Sequence, residues 1–221
     1  MKTFSKIIAG MALIATSVVV QADISSELGI TSSHIRRGSE IGSDFTYYGG
    51  ITYSAGGFSA SVSVLDTKGQ SNDAVLWNGD LSETQYELSY GFELGAVNLT
   101  LGALDRKNTL DNAPMDLDER EYSLTAELSG VELTYVDGET SFFYDYDVTT
   151  LASNVGNTKV LVGEMTWKLF SSSFDYMFYE ISSGTQLFGL DTELMYTGVF
   201  DTDGFEPRSK FVLKFSKSLS L

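Results

Sequence analysis

Apolar and polar residues alternate along most of the chain. Between 45 and 55, Phe45, Tyr47, Gly49, Ile51, Tyr53 and Ala55 share one face, and Thr46, Tyr48, Gly50, Thr52 and Ser54 the other. After Gly56-Gly57, Phe58, Ala60, Val62 and Val64 oppose Ser59, Ser61 and Ser63. The same alternation runs through Thr84–Phe92, Val97–Ala103, Tyr122–Leu128 and Val131–Tyr135. A period of two places successive side chains on opposite faces, so these segments predict β-strands with one apolar and one polar side. Strands are expected at 24–35, 44–55, 58–66, 81–92, 97–105, 119–129, 131–147, 157–170, 174–182, 184–190, 192–200 and 209–220. A second parsing splits 131–148 at Asp137-Gly138 and merges 186–200. It also gives about 12 strands; ten result if one short late segment is not a strand.

Connections alternate in length too. Those at 55–57, 93–96 and 129–130 are short, whereas 36–44, 66–80 and 105–118 are long, polar and rich in Asp, Asn and Gly. Short turns at one end and long loops at the other are the layout of an antiparallel up-and-down barrel. A soluble sandwich alternates as well, and export weighs between the two. Lys2 and Lys6 precede an apolar stretch from Ile7 to Val20, and Val20-Gln21-Ala22 resembles a cleavage site. Residues 1–22 therefore read as a cleaved secretory signal, too short in its apolar part to span a bilayer, with 23–221 as a single barrel domain. Cleavage would remove two Lys and no acid, taking the formal net charge from −16 to −18.

Composition narrows the function. An acidic chain has no basic surface for nucleic acid, and the absence of Cys excludes disulfides and thiolate sites. The polar faces carry Glu27, Gln85, Glu87, Glu121, Glu127, Glu132 and Glu164, with Glu83 near its strand end, against only Lys168 and Lys214. Such groups belong in water rather than lipid, which makes them candidate pore-lining residues with a preference for cations. On the apolar faces Tyr47, Tyr53, Tyr86, Tyr90, Phe92, Tyr122, Tyr135, Trp167 and Tyr196 are candidate membrane-interface aromatics. A hydrolase would need Ser32 or Ser33 to work with the single His34. Ser33 projects to the opposite face of a strand, and Ser32 lies about 7 Å away. The pairs Asp116/Asp118, Asp145/Asp147 and Asp201/Asp203 are too sparse a ligand set for a metal.

The segment Asp23–Ser39, with Thr31-Ser32 and Arg37-Gly38-Ser39, resembles the start of the TorF porin family. Gly130-Val131-Glu132-Leu133-Thr134-Tyr135 is similar to a mid-strand motif of that family. Asp201-Thr202-Asp203 followed by Ser209–Ser218 resembles its ending. This chain departs from the pattern at His34, where the family has Tyr, at Arg36, where it has an aromatic, and at Leu219-Ser220-Leu221 in place of a final Phe. The resemblance implies a bacterial outer-membrane β-barrel first and transport second.

The expectation is an all-β, antiparallel up-and-down transmembrane barrel in the outer membrane of a Gram-negative bacterium. It would act as a porin-like passage for ions or small solutes, with no enzymatic activity, cofactor or metal. The alternatives are a closed structural or ligand-binding barrel that uses its acidic loops, and, least favoured, a membrane hydrolase. Its partners would be outer-membrane lipid and lipopolysaccharide, and the barrel assembly machinery reading the C-terminal strand. Oligomeric state is left open.

Overall fold

The computed structural model describes residues 22–67, 80–110, 117–141, 144–169, 172–200 and 207–220. The expected export segment, apart from Ala22, lies outside these residues, as do Asp116, Asp201, Asp203 and Leu221.

Fourteen strands follow in order: β1 (Asp23–Thr31), β2 (His34–Arg36), β3 (Ser39–Gly42), β4 (Thr46–Ala55), β5 (Phe58–Thr67), β6 (Leu81–Leu94), β7 (Val97–Leu110), β8 (Leu117–Leu128), β9 (Val131–Thr140), β10 (Tyr144–Val155), β11 (Thr158–Leu169), β12 (Ser172–Leu187), β13 (Leu190–Val199) and β14 (Arg208–Ser220). Twelve of them form one closed antiparallel barrel in which each strand pairs with its barrel neighbour in sequence. Closure comes from β1, which pairs with β14 on one side and β4 on the other. β2 and β3 form a separate two-stranded sheet. A closed barrel leaves no strand edge with unpaired N–H and C=O groups, the condition for a sheet in lipid.

Five tight turns share one end. At Gly56-Gly57, Ser129-Gly130 and Phe188-Gly189 both residues have positive φ, the geometry that matches the twist of a two-residue hairpin. Phe188, at φ 54, stands at the turn tip with its side chain fully exposed.

The strand number agrees with the sequence, but some boundaries do not. The expected strand 131–147 is two strands, β9 and β10, that meet around Ser141, so Asp137-Gly138 lies inside β9 rather than at a turn. The segments 174–182 and 184–190 merge into β12, and the turn falls at Phe188-Gly189 inside the expected merger 186–200. Gly184 continues the strand, paired with Glu193.

The outer wall carries a continuous apolar belt, including Leu28, Ile51, Val64, Leu88, Leu124, Leu133, Leu151 and Leu213, all exposed. Tyr47, Tyr86, Tyr122 and Tyr135 stand on its long-connection side. Tyr47 and Tyr86 pair with Asp66 and Asp105, and Tyr122 with Asp137, where the outer face turns charged. Tyr53, Tyr90 and Phe92 stand on its tight-turn side, and Tyr196 packs on Phe211 at 4.7 Å between ring centres. Beyond the belt, outward ion pairs join Lys107 to Asp118 (2.6 Å) and Arg120 to Glu139 (3.2 Å). At 14 residues each, β6 and β7 are longer than the 9–11 residues needed to cross a bilayer.

Candidate functional site

The connection between β1 and β4 folds into the barrel. Its entrance is pinned to β14: the Ser32 N–H donates to the Leu213 carbonyl at 2.9 Å, and the Leu213 N–H donates to Ser32 Oγ at 3.1 Å. The Ser33 hydroxyl then donates to the Gly42 carbonyl at 2.7 Å, tying the two ends of the β2–β3 hairpin together. At its tip Arg37 (φ 52) and Gly38 (φ 77) make the tight turn. A Cβ on Gly38 would stand 2.6 Å from the Gly198 carbonyl and 2.8 Å from Phe178 Cβ, so only glycine lets the tip approach the wall this closely.

On one side the hairpin meets charge. Register sets Gln85, Arg106 and Glu119 side by side across β6, β7 and β8, with Glu83 and Glu121 adjoining. Arg36 reaches Glu83 and lies 2.8 Å from Glu119, and Arg37 lies 2.9 Å from Glu121. Arg106 bridges Glu119 at 2.5 Å and Glu121 at 3.1 Å. The Tyr146 hydroxyl donates to Glu121 at 2.7 Å, while its ring carries Arg37 at 5.1 Å and lies over Gly138, where a Cβ would meet it at 2.2 Å. Three guanidinium groups thus face three carboxylates, with the Glu83 side chain fully buried. Burying charges without partners is prohibitive, and here each carboxylate has at least two cationic or hydroxyl partners. On the opposite side of the hairpin, Lys210 of β14 pairs with Glu40.

Part of the inner wall on β9–β13 is apolar. Val136, Tyr146, Val148, Met165, Tyr176, Phe178 and Val199 form a buried cluster, with Leu161 and Trp167 packed against it. This reverses three of the assigned facings on β11. Trp167 points inward, its ring 4.8 Å from that of Tyr144 and 5.3 Å from that of Tyr146. Glu164 and Lys168 share the opposite, outer face; Lys168 pairs there with Asp147, above the apolar belt. They do not line the lumen. The physical reason is that β11 is apolar on both faces, with Val160 and Val162 outside and Leu161 and Met165 inside, so polarity no longer identifies the interior.

The other candidate lining residues face inward. Glu121 belongs to the charged cluster, and Gln85 donates to Glu83. Glu27 lies 3.6 Å from Lys214, and Glu132 lies 3.6 Å from Lys159. Glu87 and Glu127 are exposed on the tight-turn half of the interior. Sequence reasoning missed Arg36, Arg37, Arg106 and Glu119 as site residues. A signal existed in Arg36-Arg37-Gly38, where two cations precede a turn glycine in an otherwise acidic chain.

No Ser–His pair assembles at His34. The Ser33 hydroxyl is committed to Gly42, Ser32 Oγ accepts from the Leu213 N–H, and His34 Nε2 has no hydrogen-bond partner. Loss of hydration lowers the His34 pKa to about 4, with the Arg36 guanidinium acting in the same direction. Arg106 also lowers it, while Glu83 and Glu119 oppose. In a released hairpin His34 returns to about 6.5, so the released state binds the proton first. Docking is therefore fully stable above pH 6.5 and weakens as pH falls from 6.5 towards 4, by up to roughly 3 kcal/mol. Hydrogen exchange of the 34–42 amides should accelerate over that window beyond its intrinsic pH dependence, and His34→Gln should flatten the excess. An equal response in the variant would assign the effect to the carboxylates instead.

Among the described residues, no group of three or more His, Asp or Glu side chains is arranged to hold a metal ion.

The hairpin narrows the lumen without filling it. A cavity of about 420 Å³ remains between its tip and β13–β14, and another of about 240 Å³ adjoins His34, Tyr48 and Lys214.

The closed barrel has a counterpart among solved structures. The COG4313 outer membrane channel from Pseudomonas putida F1 matches with a TM-score of 0.50 at 9% identity, over 94% of this chain and 98% of that one. Acinetobacter baumannii OccAB4 and Pseudomonas aeruginosa OpdK, solved with vanillate, each give 0.44 at 10% identity over 90% of this chain. This chain spans 62% of the OccAB4 chain and 66% of the OpdK chain. The likeness to the COG4313 channel is one of fold. No protein-family model and no curated protein matches the sequence.

Proposed function

We propose that this protein is an outer-membrane channel through which small solutes diffuse passively. The observation that carries the reading is the closed 12-stranded barrel with an apolar, aromatic-edged outer belt around a water-compatible interior that the hairpin narrows. Export by residues 1–22, an outer-membrane setting among lipid and lipopolysaccharide, and insertion by the assembly machinery through β14 belong to the same proposal. So does the resemblance to TorF porins.

A cation preference is the finer part of the proposal. Arg37 and Arg106 neutralise Glu121, so it cannot act as free fixed charge. The preference rests on Glu87 and Glu127, with Glu27 and Glu132 in ion pairs. Planar-bilayer recording should show small, discrete conductance steps, with K⁺ favoured over Cl⁻ most clearly at low salt, where screening is weak. Glu87→Gln with Glu127→Gln should reduce that preference. Anion selectivity would reject the assigned charges, and absence of any conductance would reject the channel.

A further inference from the structure

Three cavities follow one another along the inner face of β13 and β14. The first, about 420 Å³, is lined by Gly38, Glu40, Thr197, Arg208 and Lys210, and by Ile35. Ile35 also lines the second, about 240 Å³, together with His34, Tyr48, Glu193, Met195 and Lys214. Glu193 and Lys214 in turn line the third, about 380 Å³, which reaches Gln186 and Asp191 beside the Phe188-Gly189 turn. Shared walls make these spaces consecutive, from the long-connection end to the tight-turn end. On the opposite flank of the hairpin Arg36 and Arg37 lock onto Glu83, Glu119 and Glu121.

Charge along this route comes in opposed pairs. At the upper station Lys210 meets Glu40, and Arg208 stands on the same strand face. At the lower station Lys214 lies 3.6 Å from Glu27, beside Glu193, with its ammonium 4.9 Å above the Tyr48 ring. The two lysines are four residues apart on β14, so the stations are spaced by about 13 Å. Ile35, Met195 and Val212 occupy the interval between them. A simple ion gains from one member of each pair and is repelled by the other. A solute carrying both charges can exchange with both members, its carboxylate to the lysine and its ammonium to the glutamate.

We propose that the solute path is an off-axis conduit between the hairpin and β13–β14, gated in width by Ile35, and that it favours small zwitterions of the amino-acid class. This rests on the channel reading and specifies its route and cargo. Met195 and Val212 supply the wall facing Ile35, and Lys210 and Lys214 are the specificity-determining residues.

Swelling of proteoliposomes holding the full chain tests it, with glutamine as the zwitterionic solute and ribose as an uncharged solute of nearly equal mass. Swelling in glutamine should be several-fold faster than in ribose. Lys210→Met with Lys214→Met should bring that ratio close to one, whatever happens to the absolute rates. Ile35→Trp should slow both solutes, and Val212→Trp, placed on the barrel wall, should do so without altering the hairpin. A ratio near one in the unsubstituted protein, or a ratio that survives loss of both lysines, overturns the zwitterion preference. Unchanged rates in both Trp variants overturn the route. Failure to swell in either solute overturns the channel itself, and the conduit with it.

Discussion

Replacing Arg36 and Arg37 together with Ala should release the hairpin and raise single-channel conductance several-fold. The two substitutions leave Glu83, Glu119 and Glu121 to share the single guanidinium of Arg106, inside the barrel. Removing one side of a buried ion pair typically costs about 3–5 kcal/mol, because a desolvated charge remains behind. The barrel can avoid that cost by letting the hairpin leave and water enter, since the hairpin shares no strand ladder with the wall. Each wall strand keeps both barrel neighbours, so the variant should still fold and show the heat-dependent gel migration of a closed barrel. Gly38→Ala reaches the same end by another route, through a Cβ at positive φ pressed against the Gly198 carbonyl. Wild-type conductance in both variants would mean that the hairpin does not restrict the lumen.

Arg in place of Leu88 or Leu124 should destabilise the barrel in lipid by about 2–4 kcal/mol, as expected for a cation facing the middle of the bilayer. Both leucines are nearly half exposed on the outer wall, at mid-strand in β6 and β8. Their neighbours Ser89 and Thr125 point inward, and the Thr125 hydroxyl meets that of Thr134 at 2.9 Å. Arg at either of these positions can keep its charge in water and should cost much less. Denaturant unfolding in lipid vesicles measures both sets. Equal costs would show that the outer belt does not face hydrocarbon.

How far the sequence could be read differs between the two halves of the barrel. On β4–β8 the alternation is clean, with Tyr47, Ile51 and Tyr53 outside and Tyr48, Thr52 and Ser54 inside, and the expected facings match the structure. On β11 the same rule inverted Trp167, Glu164 and Lys168, because that strand is apolar on both faces. Met165, Tyr176 and Phe178 pack with Val136, Tyr146, Val148 and Val199 of the neighbouring wall strands, and the interior there resembles a protein core more than a water-filled bore. The candidate site was harder still. Arg36 finds its carboxylates 47 and 83 residues along the chain, a separation no local pattern encodes.

By itself the sequence determined the all-β class, the antiparallel order, about 12 strands and the positions of several tight turns. All of these follow from period-two patterning and from glycines that accept positive φ, properties confined to a few neighbouring residues. Only the tertiary structure decided that the 32–45 connection folds inward and which wall is charged or apolar. It also decided that Glu121 is neutralised and that cavities remain along β13–β14. Those outcomes depend on barrel closure, which brings distant strands within a few ångströms and lets buried charges select their partners.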